Sequence, residues 1–209
     1  MFVVDKVKKK YKKEILTDIS FKAENGKCIA IIGKNGCGKT TLLNILSGAT
    51  KADGGNIYYD DKLLSNKKLI QKYVGYVPQE NPLIDEVSAI DNIKLWYGKN
   101  IDYDVISDFG IDEFIHKKIS TLSGGMKRRV SIAIAVMKKP KILILDEPSA
   151  ALDIYGKKEV ISCIQKYVSE GGTVIISTHD REEIEICDVV YLMQSGKLEN
   201  VTEKENFGM

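Results

Sequence analysis

The run Gly33-Lys34-Asn35-Gly36-Cys37-Gly38-Lys39-Thr40 constrains this chain more than any other stretch of it. Its glycines let the backbone curl through conformations that other residues avoid, so that successive amides can converge on one anion. An apolar run at 27–33 leads into the turn, and good helix formers at 39–46 leave it, with Gly48 placed as the stop. Strand, glycine-rich turn and helix together are the setting in which this pattern binds nucleotide phosphates, with the positive end of the helix adding to the attraction. In that setting Gly33, Asn35, Gly36, Cys37 and Gly38 form the cradle and Thr41 joins the nucleotide-contacting set. Lys39 is expected to bridge the β- and γ-phosphates of the nucleotide, and the Thr40 hydroxyl to ligate Mg²⁺. A chance Lys-Thr after a surface turn would need neither the strand before it nor the helix after it.

A second apolar run, 141–146, ends in Asp146-Glu147-Pro148, and a third, 173–178, ends beside His179. Continuous apolar runs of this length read as strands buried on both faces of a parallel sheet. Such sheets present ligand-binding groups at the C-terminal ends of their strands. Asp146 is therefore expected to hold Mg²⁺ through water, and Glu147 to take a proton from the attacking water. Two solvated acids at a strand end are the plain alternative for this segment by itself.

The strands alternate with helical patterns, at 39–46, at 157–168 ending on Gly171-Gly172, and in a short acidic stretch at 181–186. This alternation predicts an α/β fold: a P-loop NTPase core with a mostly parallel sheet. Antiparallel hairpins are expected from 2–8 with 16–23, from 56–59 with 62–64, and from 189–193 with 197–201. The first two make an N-terminal antiparallel β subdomain. A polar, helical texture begins near 82 and runs to about 120, with scattered aromatics such as Trp96, Tyr97 and Phe109; it marks a small helical subdomain inserted at about 82–135. The whole chain, 1–209, reads as one domain.

Charge and cysteines narrow the partners. With 31 Lys and Arg against 29 Asp and Glu, the net charge of +2 does not suit a general nucleic-acid binder, and no nucleic-acid partner is expected. Lys6, Lys8, Lys9, Lys10, Lys12 and Lys13 form one local basic run, read as a solvated hairpin turn, with contact to phosphate or anionic lipid as the alternative. No segment approaches the roughly 20 apolar residues that span a bilayer, and MFVVDKVKKK turns basic too early for a signal peptide. Any membrane partner must then be a second polypeptide. Cys28, Cys37, Cys163 and Cys187 show no metal-binding spacing and are expected as reduced thiols.

Leu122-Ser123-Gly124-Gly125-Met126 selects among P-loop proteins. Taken alone, Ser-Gly-Gly is most often a helix N-cap. In chain order with the other motifs, it resembles the signature of ABC transporter ATP-binding subunits. The resemblance implies that Ser123, Gly124 and Gly125 of one copy cap ATP on the phosphate loop of another, in a head-to-tail pair with a second copy or a paralogous subunit. It also implies that Tyr11 stacks on adenine and that Gln79 touches Mg²⁺ and water while linking the helical subdomain to the core. Ser149-Ala150-Ala151-Leu152-Asp153 matches the loop that senses the partner, and His179 matches the histidine that reaches the γ-phosphate; an ordinary hydrogen-bonded histidine is its plain alternative. The implied protein is an ATPase bound at the cytoplasmic face of the cell membrane through a transmembrane permease.

Met126 stands where many members have Gln, and Leu-Ser-Gly-Gly-Met-Lys-Arg-Arg resembles subunits that pair with ABC-2 type exporters. The stretch from Gln79 to Leu122 is short for this family, and the chain ends soon after the last hairpin, leaving no room for an importer's regulatory domain. Rival readings weaken on the same motifs. A soluble ABC ATPase acting on ribosomes or DNA would usually show tandem cassettes or a long coiled coil. An unrelated P-loop kinase or GTPase would need neither the signature nor Gln79 and His179, and a degenerate subunit would not keep Lys39, Asp146, Glu147 and His179. Cys37, at a helix start that lowers thiol pKa, is expected either as filler or as a reactive thiol. On the second reading, alkylation blocks ATP hydrolysis and bound ATP protects; equal labelling by iodoacetamide with and without ATP would dismiss it.

Overall fold

The computed structural model describes residues 1–202. Two sheets pack with helices around two apolar clusters. The first sheet is antiparallel, in the order β2-β1-β4-β5, from β1 (Phe2–Lys10), β2 (Glu14–Ala23), β4 (Gly54–Tyr59) and β5 (Lys62–Leu63). The second has the order β10-β9-β3-β8-β7-β6, from β3 (Cys28–Ile32), β6 (Val74–Val77), β7 (Ile142–Asp146), β8 (Thr173–Ser177), β9 (Val189–Gln194) and β10 (Lys197–Asn200). In it β9, β3, β8, β7 and β6 are parallel, and only the edge strand β10 is antiparallel.

Alternation along β3, β7 and β8 explains why these strands are apolar throughout. Ala30, Ile32, Leu143, Leu145, Val174 and Ile176 face one cluster with the helices α3 (Ala89–Tyr97), α4 (Tyr103–Asp108), α5 (Gly124–Val136) and α6 (Ile154–Ser169). Ile29, Ile31, Ile142, Ile144 and Ile175 face the other, with α1 (Lys39–Leu46) and the antiparallel sheet. Every residue of β3, β7 and β8 is buried. Two further helices, α2 (Lys67–Tyr73) and α7 (Arg181–Glu185), flank the parallel sheet.

Several expectations shift. The first strand runs past 8: Lys9 and Lys10 join Lys6 and Lys8 on β1, leaving 11–13 as the turn, and Lys9 pairs with Asp53 at 2.9 Å. Helix α6 starts at Ile154 rather than 157, because Asp153 accepts from the Gly156 amide at 2.7 Å and so caps the helix early. Strand β9 belongs to the parallel core beside β3 as well as to its hairpin. Strand β6 is a core strand that its sequence hides, being short and containing Gly75, where a Cβ would lie 2.6 Å from the Ala135 carbonyl oxygen of α5. No helix among the described residues is long and apolar enough to cross a membrane.

The sheet also brings two distant thiols together. Cys28 opens β3 and Cys187 precedes β9, its parallel neighbour; Asp188 N–H donates to the Cys28 carbonyl and Cys28 N–H to the Asp188 carboxylate, both at 2.8 Å. The two sulfurs stand 3.1 Å apart, within about 1.1 Å of bonding distance. Diamide is expected to take two hydrogens from the pair and close a disulfide, seen by non-reducing peptide mapping. Closing so long a loop should raise Tm by about 10 °C, reversed by reductant and lost in Cys28→Ser. Unchanged thiol content after oxidation would show the pair to be inert.

Candidate functional site

The turn between β3 and α1 is shaped by glycines that have no substitute. Gly33 has φ 148°, and a Cβ there would lie 2.4 Å from the Met193 carbonyl oxygen. Gly38 has φ 115°, and a Cβ would press on Leu16, Met193 and Ile15 at 3.1 to 3.3 Å. The loop is thus wedged against β2 and β9 in a conformation that L side chains rarely adopt. Helix α1 begins at Gly38 with no side-chain cap. The other six α-helices among the described residues are each capped by a Ser, Asp or Asn side chain. No side-chain cap takes a first-turn amide of α1, so all of them are open to a ligand at the helix end that favours anions.

Those amides open onto a cleft of about 340 Å³. Asn35, Gly36, Gly38, Lys39, Thr40 and Thr41 form one wall, and Tyr11, Ile15, Gln79 and Glu147 the rest. Tyr11 is 58% exposed, a ring standing at the mouth of the cleft with Lys9 Nζ 5.2 Å from its centre. Lys39 is buried; its Nζ donates to the Gly33 carbonyl at 2.7 Å and lies 3.9 Å from Glu147 Oε1. A buried ammonium so placed between the loop and a carboxylate is a focused positive charge.

Parallel pairing carries the opposite wall. Asp146, the last residue of β7, pairs with Ser177 of β8, whose hydroxyl donates to Asp146 Oδ1. Asp146 Oδ2 is buried with no protein partner. Glu147 turns away from the strand at φ 44°, a left-handed conformation that costs a non-glycine residue about 1 kcal/mol. Its amide donates to the Ser177 carbonyl at 3.0 Å, and that bond holds the turn. The reversal swings the Glu147 carboxylate into the cleft, where Gln79 Nε2 donates to Oε2 at 3.3 Å. His179 Nδ1 lies 3.8 Å from the same oxygen, on a side chain 65% exposed.

An absent hard cation can be tested against this donor set. Thr40, Asp146 and Gln79 each carry a side-chain oxygen, the donor Mg²⁺ prefers, and Asp146 Oδ2 is a buried acceptor without a hydrogen-bond partner. The residues fit.

The structure brings together Tyr11, the loop, Lys39, Thr40, Thr41, Gln79 and Glu147, with Asp146 beneath and His179 beside them. Cys37 is half-buried and packs on the second apolar cluster rather than lining the cleft. Ser123, Gly124 and Gly125 also stand apart from the cleft, at the start of α5. Ser123 is indeed an N-cap, accepting from the Met126 amide at 3.2 Å, yet it is exposed and keeps its own O–H. A Cβ on Gly124 would strike Leu152 at 2.7 Å and one on Gly125 would strike Gly156 at the same distance. The bare helix start is therefore locked to the loop at 149–153.

Sequence reasoning passed over two buried charges here. Glu183 of α7 is 1% exposed with Oε1 buried and without a hydrogen-bond partner, and burial raises its carboxyl above the usual range against the opposing effect of Thr178 and Ser149. Arg128 of α5, 6% exposed, donates to the carbonyls of Pro78 and Gln79 at 2.8 and 2.9 Å. An acid on a short acidic helix and one of two adjacent arginines carry no signal of burial.

The model of the family described as "ABC transporter" matches residues 16–150. The chain is 35% identical to the linearmycin resistance ATP-binding protein LnrL of Bacillus subtilis, over 95% of this chain and 68% of that one. It is 34% identical to the lantibiotic transport ATP-binding protein SrtF of Streptococcus pyogenes, over 100% and 92%. It is 33% identical to the spermidine/putrescine import ATP-binding protein PotA of Mycoplasma capricolum, over 91% and 58%. Among solved structures, the dimeric post-hydrolysis state of the ATP-binding cassette MJ0796 with ADP and Pi superposes with a TM-score of 0.82 at 25% identity, covering 95% and 97%.

Removing the buried ammonium with Lys39→Ala should weaken ATP binding by at least about 30-fold, without lowering Tm. Titration with a fluorescent ATP analogue, beside a melt, reads this directly; an unchanged affinity would break the assignment of the phosphate cleft.

Proposed function

The chain belongs to the ABC transporter family, and from that premise we propose that two copies close head to tail around ATP, the phosphate loop of each facing Ser123 of the other. It is an ATP-hydrolysing subunit of an ATP-driven transporter. One observation carries the head-to-tail reading. The cleft built by Lys39, Gln79 and Glu147 has an open side, while the anion cradle of Ser123, Gly124 and Gly125, exposed at Ser123 and Gly124, lines no part of it. Only a second polypeptide can present that cradle to the nucleotide.

Each copy then contributes named groups. Tyr11 supplies a face for the adenine. Lys39 exchanges the Gly33 carbonyl for the β- and γ-phosphate oxygens, and the first-turn amides of α1 hold the same phosphates. Thr40, Asp146 and Gln79 hold Mg²⁺, which when bound neutralises phosphate charge. Glu147, steadied by Gln79 and bordered by His179, accepts the proton of the water that attacks the γ-phosphorus. Ser123 and the Gly124 and Gly125 amides of the other copy stabilise the transferring phosphoryl oxygens, charge that grows only as the bond breaks.

The chain is one nucleotide-binding domain whose segment at about 82–135 forms the helical subdomain. Its transmembrane partner is a separate permease that holds it at the cytoplasmic face. Export is the direction favoured, supported by the Met126 form of the signature and by the resistance and lantibiotic transport proteins among its relatives, against the importer at similar identity.

Glu147→Gln should keep ATP affinity, slow turnover by about 100-fold or more and accumulate a dimer in ATP on size-exclusion chromatography. An ATP-loaded Glu147→Gln protein that stays monomeric would overturn the composite site; turnover close to wild type would remove Glu147 as the base.

A further inference from the structure

Gln79 must do two things in this site: reach the cleft with its side chain and hold its own backbone still. Its Nε2 donates to Glu147 Oε2 at 3.3 Å, yet its main chain lies in a short loop after β6, outside any strand or helix. What grips that loop is Arg128. The two arms of the guanidinium donate separately, Nη1 to the Pro78 carbonyl at 2.8 Å and Nη2 to the Gln79 carbonyl at 2.9 Å. Fork geometry suits two neighbouring acceptors in a way no other side chain does. The side chain is 6% exposed, so both bonds are shielded from water. Burial lowers the pKa of the guanidinium, an effect that the charges of Glu183 and Asp146 oppose.

Arg128 also sits five residues after Ser123 on the same helix, about 7.5 Å along its axis. One rigid element therefore ends in the cradle offered to the partner's nucleotide and, little more than a turn later, clamps the loop that carries Gln79. We propose that Arg128 is a positioning residue for hydrolysis: it makes the placement of Gln79 against Glu147 depend on where α5 stands. A shift of α5, when its N-terminus engages the partner's γ-phosphate, is passed to Gln79 through the two carbonyls. The role rests on the composite-site reading for its trigger, but not for its local effect on Glu147.

Turnover by the full-length protein, measured with Mg-ATP, tests the claim through a double-mutant cycle. Arg128→Met should lower kcat by about tenfold while KM and the affinity for a fluorescent ATP analogue stay within about twofold, since it touches neither Lys39 nor the phosphate loop. Arg128→Lys, able to satisfy one carbonyl, should recover part of the loss. Gln79→Ala combined with Arg128→Met should be no slower than Gln79→Ala alone, because a clamp acting through Gln79 has nothing left to act on. Multiplying effects in the double variant would overturn the proposal, and so would an unchanged kcat or a parallel fall in kcat, ATP affinity and Tm. If Arg128→Met does not fold, the same comparison is made with Arg128→Lys and its double variant. Failure of Glu147→Gln to dimerise would sink the composite site alone, leaving the Arg128–Gln79 cycle to be decided on its own kinetics.

Discussion

Parallel pairing across β6, β7, β8 and β3 is the constraint on which the rest of this molecule depends. Asp146 pairs with Ser177 and Leu145 with Val77, so the ends of neighbouring strands lie level along one edge of the sheet. Each strand then releases a different group there: the phosphate loop after Ile32, Gln79 after Val77, Glu147 after Asp146, and His179 after Ser177. No one of these segments places its group accurately alone. Their common edge does, because slipping a strand by one residue would turn its buried side chains into the wrong cluster.

Local strain finishes what the sheet begins. Glu147 at φ 44° and Ala151 at φ 61° are both non-glycine residues in the left-handed region, the first at the acid itself and the second within the loop at 149–153. Glu147 N–H to the Ser177 carbonyl, Ala150 N–H to the Glu147 carbonyl and Leu152 N–H to the Ser149 carbonyl hold this path. The same loop abuts Gly124, and α5 and α6 meet at Gly125 and Gly156 with no side chain between them. Glu147, the loop at 149–153 and the start of α5 therefore form one packed unit, and a change at one is felt by the others through backbone contact.

Legibility in the sequence followed the physics of each element. Strands β3, β7 and β8 are buried on both faces, so their residues had to be apolar throughout and could be read directly. Helix α1 was read to the residue because a glycine-rich turn opens it and Gly48 closes it. Strand β6 escaped notice because its length and Gly75 are dictated by the backbone of α5, a neighbour remote in sequence. Lys9 and Lys10 misled because charge suggests a turn, whereas the partly exposed end of β1 carries them and Lys9 finds Asp53 just before β4.

The sequence by itself determined the chemistry: a glycine-rich loop at a strand–helix junction, acids at a strand end and an ordered set of motifs leave one family of folds and one class of reaction, because each motif needs its residue types at fixed spacing. Only the tertiary structure decided which groups share a cleft within one chain. It left Ser123 outside, set Cys28 against Cys187, and put Arg128 on the carbonyls beside Gln79. Those relations join residues far apart in the chain, and no local pattern encodes a distance that two packed elements set between them.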